Sequence, residues 1–173
     1  FVLITAFLVA SCQNSAKISD PDNNGERLSA VKVQLNELTI DELSAYRGDK
    51  ADWFYFSIPE KGTLHVSLFL DTPKDIIIDG TIIQASGMPL KNLKTNHATA
   101  HYQFEDIEID PGHYYLSFTT GKGTSIYSFG VSFDPTPKPC NTDVPCTNED
   151  EICQDGSCKK KPITNPMPII QEH

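Results

Sequence analysis

Gly62-Thr63-Leu64-His65-Val66-Ser67-Leu68-Phe69-Leu70 is the stretch that decides the fold. Leu64, Val66, Leu68 and Leu70 recur at every second position, with Thr63, His65 and Ser67 between them. A period of two sends alternate side chains to opposite faces of an extended strand, so this segment has one greasy face and one wetter face. The same alternation appears upstream in Phe54, Phe56 and Ile58, after Trp53, and before that in Val31, Val33 and Leu35. Downstream it continues in Ile76, Ile78 and Ile82, in Ile107 and Ile109, in Tyr114, Leu116 and Phe118, and in Tyr127, Phe129, Val131 and Phe133. The breaks carry turn chemistry: Pro59-Glu60-Lys61-Gly62, Ser86-Gly87-Met88-Pro89, Asp110-Pro111-Gly112 and Gly121-Lys122-Gly123. No window of helical length carries a 3.6-residue stripe, and Glu37 to Tyr46 fits a short helix or a strand and turn equally. The pattern predicts an all-β chain of about seven to eight short strands, the usual number for a sandwich.

Ahead of this region the chain reads as a leader. Phe1 to Ala10 is an apolar run without charge, and Gln13, Asn14, Ser15 and Lys17 follow it at once. A membrane-spanning helix needs roughly 20 apolar residues, which this run does not supply, so a signal-peptide core over residues 1–11 is expected. No Met and no basic residue precede Phe1, so the leader is expected to start upstream of the sequence given. Val9-Ala10-Ser11-Cys12 resembles the lipobox of bacterial lipoproteins. That resemblance implies cleavage before Cys12, diacylation of its thiol and acylation of the new amino terminus, an anchor with stable membrane attachment. An ordinary secretory signal with an incidental thiol is the competing reading. Gln13 in place of an Asp favours outer-membrane sorting by analogy with enteric bacteria.

The 173 residues, the 39% hydrophobic share and the net charge of −9 fit one sizeable exported domain. An acidic chain without a Lys/Arg-rich block argues against nucleic acid and against electrostatic docking to anionic lipid. Residues 12–29 are expected to form the lipidated Cys and a flexible polar tether. Within it Asp20-Pro21-Asp22-Asn23-Asn24-Gly25 imitates the opening of a calcium loop, with Asp20, Asp22 and Asn24 as oxygen ligands and Gly25 at the turn. A twelve-residue loop closes with a bidentate Glu where this chain has Val31, so a solvated acidic linker without a cofactor is the expected reading and a structural calcium the alternative.

Asp52-Trp53-Phe54-Tyr55-Phe56-Ser57-Ile58-Pro59, Gly62-Thr63-Leu64-His65-Val66-Ser67-Leu68, Asp110-Pro111-Gly112-His113-Tyr114-Tyr115-Leu116 and Tyr127-Ser128-Phe129-Gly130-Val131 resemble the bacterial pre-peptidase C-terminal domain. The resemblance covers residues 30–134 and implies an antiparallel, jelly-roll-like β-sandwich. Members of that family commonly follow a secreted hydrolase and aid secretion or bind its polymer. In this sequence no peptidase stands before the domain, which implies a free-standing binding or packing unit.

Residues 135–139 read as a Pro-rich spacer, and beyond it Cys140, Cys146, Cys153 and Cys158 crowd into a stretch almost free of core-forming residues. Four thiols in an oxidising compartment predict a cysteine-rich knot over 140–158 with two disulfides. Three pairings are open, and Cys140 with Cys153 and Cys146 with Cys158 is favoured because interlaced bridges constrain the segment evenly. A four-cysteine zinc site is the competitor, against which stand the wide gaps and the compartment. Glu149 to Cys158 resembles the small EGF-like or Dickkopf-like knots of extracellular proteins. Residues 159–173 are expected to be disordered.

Catalytic patterns are weak. His97 and His101 stand four apart without the Glu of a zincin helix, Asp106 and Glu108 fall on the polar face of a strand, and every cysteine has another use. The chain is therefore read as no enzyme. Trp53, Tyr55 and Tyr115 fall opposite the core stripes and form a candidate platform for a glycan or peptide ligand. Arg47-Gly48-Asp49, an adhesion tripeptide elsewhere, is read as the turn before Trp53. Two classes of function remain: an envelope binding or adhesion module for glycan, peptide or protein, and a structural subunit of an envelope or secretion assembly docking through its knot.

Overall fold

The computed structural model describes residues 22–161, and two β-sheets packed face to face form their core. The strands are β1 (Val31–Lys32), β2 (Leu38–Ser44), β3 (Ala51–Ile58), β4 (Gly62–Leu70), β5 (Asp79–Gln84), β6 (Pro89–Lys94), β7 (His101–Gln103), β8 (Ile107–Ile109), β9 (Gly112–Thr119) and β10 (Thr124–Pro135). The first sheet runs β1-β3-β9-β5-β6; the second runs β2-β10-β4-β7, with β8 also on β4. The chain is an all-β sandwich.

The alternation fixes which faces meet. Phe54, Phe56 and Ile58 of β3, Leu116 and Phe118 of β9 and Ile82 of β5 face Leu64, Val66, Leu68 and Leu70 of β4 and Tyr127, Phe129 and Val131 of β10. At the centre the Phe129 ring lies 4.6 Å from Phe54 and 5.2 Å from Phe118, which also meets Tyr127 edge-on at 5.2 Å. Each fully buried large apolar side chain stabilises the fold by roughly 1.5–3 kcal/mol, and edge-on ring pairs add roughly 0.5–1.5 kcal/mol. The sandwich is thus held by the two stripes that set its period.

The strand count is higher than expected, with ten strands in the two sheets. Leu38–Ser44 is a strand followed by a 3₁₀ turn over Ala45–Arg47, which resolves the ambiguity at 37–46. Short edge strands β6, β7 and β8 add to the count, and β1 departs from antiparallel order by pairing with β3 in parallel. Ile76 and Ile78 are fully buried but lie on the loop before β5, plugging the sandwich end. Gly123, at φ +94°, turns β9 into β10 where an added Cβ would stand 1.9 Å from the Asp75 carbonyl oxygen, so only glycine fits.

Residues 22–29, read as a free tether, instead form a strap on the first sheet. Asn24 is 1% exposed, its carbonyl accepts from the Trp53 amide, and Arg27–Ser29 forms a 3₁₀ turn. The residues read as a signal peptide, Cys12, Asp20 and, of the end read as disordered, residues 162–173 lie outside the described residues. At the other end β11 (Glu151–Gln154) and β12 (Ser157–Lys160) pair as a hairpin. Lys159 and Lys160 therefore belong to a strand, a correction to the expectation for that end of the chain, because Cys158 bonded to Cys146 commits the residues around it. The bridges are Cys140–Cys153 and Cys146–Cys158, interlaced. Sulfurs committed to disulfides are not thiolate ligands, and the zinc reading falls. The knot is tied to the sandwich through Thr136, whose amide donates to the Lys61 carbonyl, and an ion pair of Lys138 with Glu60.

Candidate functional site

β3 carries two side-chain sets with different roles. Its inward set begins with Asp52 and continues as Phe54, Phe56 and Ile58, so a carboxylate occupies the first core position of an apolar stripe. Asp52 is fully buried. The 3₁₀ turn before β3 ends at Gly48, in the left-handed region at φ 93°, and delivers Asp49 beside it at 2% exposure. The Arg47-Gly48-Asp49 tripeptide is thus a turn that hides its own carboxylate. Asp22 comes from the strap, and carboxylate oxygens of Asp22, Asp49 and Asp52 lie within 4.8 Å of one another. The Asn24 side-chain amide donates to Asp41 at 3.1 Å, which draws β2 into the same corner.

The electrostatics of this corner are unfavourable as they stand. Asp52 Oδ2 accepts from the buried Tyr127 hydroxyl at 2.5 Å, while Asp52 Oδ1 and Asn24 Oδ1 are buried without a hydrogen-bond partner among the described residues. Burial raises the Asp52 pKa from 3.8 to about 8, and the charges of Asp49, Asp41 and Asp22 add to it against the lowering effect of the Tyr127 hydrogen bond. Burial, followed by Asp52 itself, also pushes the Tyr127 hydroxyl well above 10.0. Orphaned buried oxygens beside clustered carboxylates are a donor set for a hard, oxygen-seeking cation. Of the sequence-read calcium ligands, Asp22 lies in this cluster, Asn24 borders it and Asp20 falls outside the described residues.

The outward set of β3 is Trp53 and Tyr55, both partly buried. Tyr55 stands opposite Tyr115 of β9 with ring centroids 6.4 Å apart, and Trp53 stands opposite Ser117. The three candidate platform residues therefore share one face of the first sheet. The strap partly covers them: the Arg27 guanidinium lies 4.2 Å above the Tyr115 ring and is held by the carbonyls of Gln84 and Ala85. Such a cation–π contact contributes about 0.5–1 kcal/mol at an exposed site. Sequence reasoning missed Arg27, since no periodicity joins it to Tyr115.

The remaining titratable candidates separate. His97 bonds the Pro73 carbonyl, whereas His101 stacks on Phe69 at 4.3 Å, so the two share no ligand. Asp106 bonds His65, and Glu108 lies 4.0 Å from Lys61. Ser57 Oγ lies 2.8 Å from His113 Nδ1 on an exposed strand face, and among the described residues no carboxylate hydrogen-bonds that ring.

No family model matches the chain, and no curated protein matches it. Among solved structures, the pre-peptidase C-terminal domain of a collagenase from Bacillus anthracis is similar over 60% of this chain and 94% of that one, at 20% identity and TM-score 0.51. A mannan-binding module is 9% identical over 57% of this chain and 83% of its own, at TM-score 0.33. A glucanotransferase from Paenibacillus sp. is 12% identical over 47% of this chain and 13% of its own, also at 0.33. The first of these supports the β-sandwich fold and nothing finer.

Proposed function

We propose that this chain is a non-catalytic binding module, carried on the bacterial cell envelope by lipid on Cys12, that presents the face of Trp53, Tyr55 and Tyr115 to a glycan, peptide or protein ligand. The observation that carries the reading is the register of Tyr55 with Tyr115 on an outer sheet face, completed by Arg27. Partly exposed rings beside a fixed guanidinium suit stacking plus charge-assisted hydrogen bonding. Calcium held by Asp22, Asp49 and Asp52, with Asn24 at the margin, supplies the positive charge that lets these carboxylates ionise together, and so fixes the strap that carries Arg27.

The test is retention of the full chain on purified peptidoglycan and on immobilised gelatin, with emission of Trp53, the single tryptophan, as the second readout. The reading expects saturable retention on one of them, reduced at least tenfold in Tyr115→Ala and in Trp53→Ala while the thermal midpoint holds. Retention untouched by both substitutions, or on neither matrix, overturns it. A second reading, an accessory subunit docking through its knot, is favoured by Val144 and Ile152, which are 56% and 39% exposed there.

A further inference from the structure

The outer face of the second sheet, on the opposite side of the sandwich from the aromatic strip, carries a trough that the proposed function leaves unused. The register explains it. The outward residues Ser128 and Gly130 of β10 lie between Ile40 and Leu38 of β2 on one side and Phe69 and Ser67 of β4 on the other. Ser128 and Gly130 on the middle strand, flanked by Leu38 and Ile40 on β2 and by Phe69 on β4, leave a channel along β10 about 10 Å wide, two strand spacings, which suits one extended chain. Two adjoining hollows of about 350 and 410 Å³ mark it, with Phe69 in the wall of both. Leu38 and Ile40 stand 62% and 68% exposed, and Ile126 52%, an apolar lining unusual on a sheet face.

Each end carries an acid. Glu37 lines the hollow toward Ser132, and Asp71 lines the hollow toward Ile126. From Ile126 to Ser132 the strand advances about 20 Å. We propose that the trough docks an extended peptide segment of a partner protein, with a basic residue at each end of a short run of small apolar residues, the two basic residues about six positions apart. A second copy of this chain is disfavoured by its net charge of −9. A glycan is disfavoured because the β2 wall is aliphatic, Leu38 and Ile40, and one face of the only aromatic ring exposed there, Phe69, already stacks on His101.

The experiment titrates the full chain with a dye-labelled peptide, Lys-Val-Ala-Val-Ala-Val-Lys, and with the same peptide ended by Glu, and follows anisotropy. The proposal expects saturable binding of the Lys-ended peptide alone, weakened at least tenfold by Ile40→Ser or Phe69→Ala. It also expects reversed preference in the Glu37→Lys, Asp71→Lys double variant, whose changes are on exposed residues and leave the thermal midpoint in place. Equal binding of both peptides, no binding, or a double variant with unchanged preference overturns it. So does a free protein that sediments as a dimer through this face, or a mannan oligosaccharide that binds in the trough instead. None of these outcomes bears on the Trp53, Tyr55 and Tyr115 face, whose variants leave the trough intact.

Discussion

Asp52 concentrates the chemistry of the protein in one side chain. Its folded pKa of about 8 stands above the 3.8 of the unfolded chain, so the folded state binds the extra proton. The stabilisation from that proton is fully present below pH 3.8 and is lost as pH rises through about 8. In chelator, the thermal midpoint is therefore expected to fall as pH is raised from 5 toward 8, and Asp52→Asn, which has no charge to bury, is expected to flatten the slope. Calorimetry across that range checks both. The residue was legible in principle: an Asp in phase with Phe54, Phe56 and Ile58 breaks an apolar stripe, and such a break marks a site. Its partners were not, because Asp22 reaches the corner only when the strap folds onto β3.

Among the elements, β4 and β10 are clamped by His65. Its Nδ1 lies 2.7 Å from Asp106 and its Nε2 3.2 Å from Asp134, and both nitrogens donate only when the ring is protonated. The Asp106 hydrogen bond raises the His65 pKa above 6.5, so the clamp's contribution is fully present below 6.5 and is lost as pH rises through the higher folded value. The partners are 60% and 78% exposed, which limits the effect to less than about 1 kcal/mol. NMR titration of the ring is expected to show the raised pKa, returned toward 6.5 in Asp106→Asn. Strand β4 was legible because four aliphatic residues alternate without interruption. The edge strands β6 and β7 were not: in Pro89–Lys94 Leu90 and Leu93 stand three apart rather than two, and His101–Gln103 buries only Tyr102, so their pairing is set by the neighbours they land on. Ile76 and Ile78 kept the right burial and lost the strand, since apolar residues two apart also fit a plug loop.

At the scale of the molecule, a strap, a sandwich and a knot follow one another along the described residues, and the proposed lipid on Cys12 would tether them. Intact mass of membrane-extracted protein is expected to show cleavage before Cys12 with added acyl mass, and alkylation of Cys140, Cys146, Cys153 and Cys158 only after reduction. Each bridge closes a short loop, with separations of 13 and 12, and contributes roughly 3 kcal/mol to the knot. The sandwich rests on its own core, so reduction is expected to leave its thermal transition in place.

The thermal midpoint of the full chain at pH 7, in chelator and in calcium, decides whether an ion holds the strap. A strap held by calcium predicts stabilisation of about 2.7 kcal/mol once the ion reaches a hundred times its Kd. It also predicts a simultaneous change in Trp53 emission, and loss of both effects in Asp52→Asn and Asp49→Asn. An identical midpoint in chelator and calcium, with Trp53 unmoved, contradicts it.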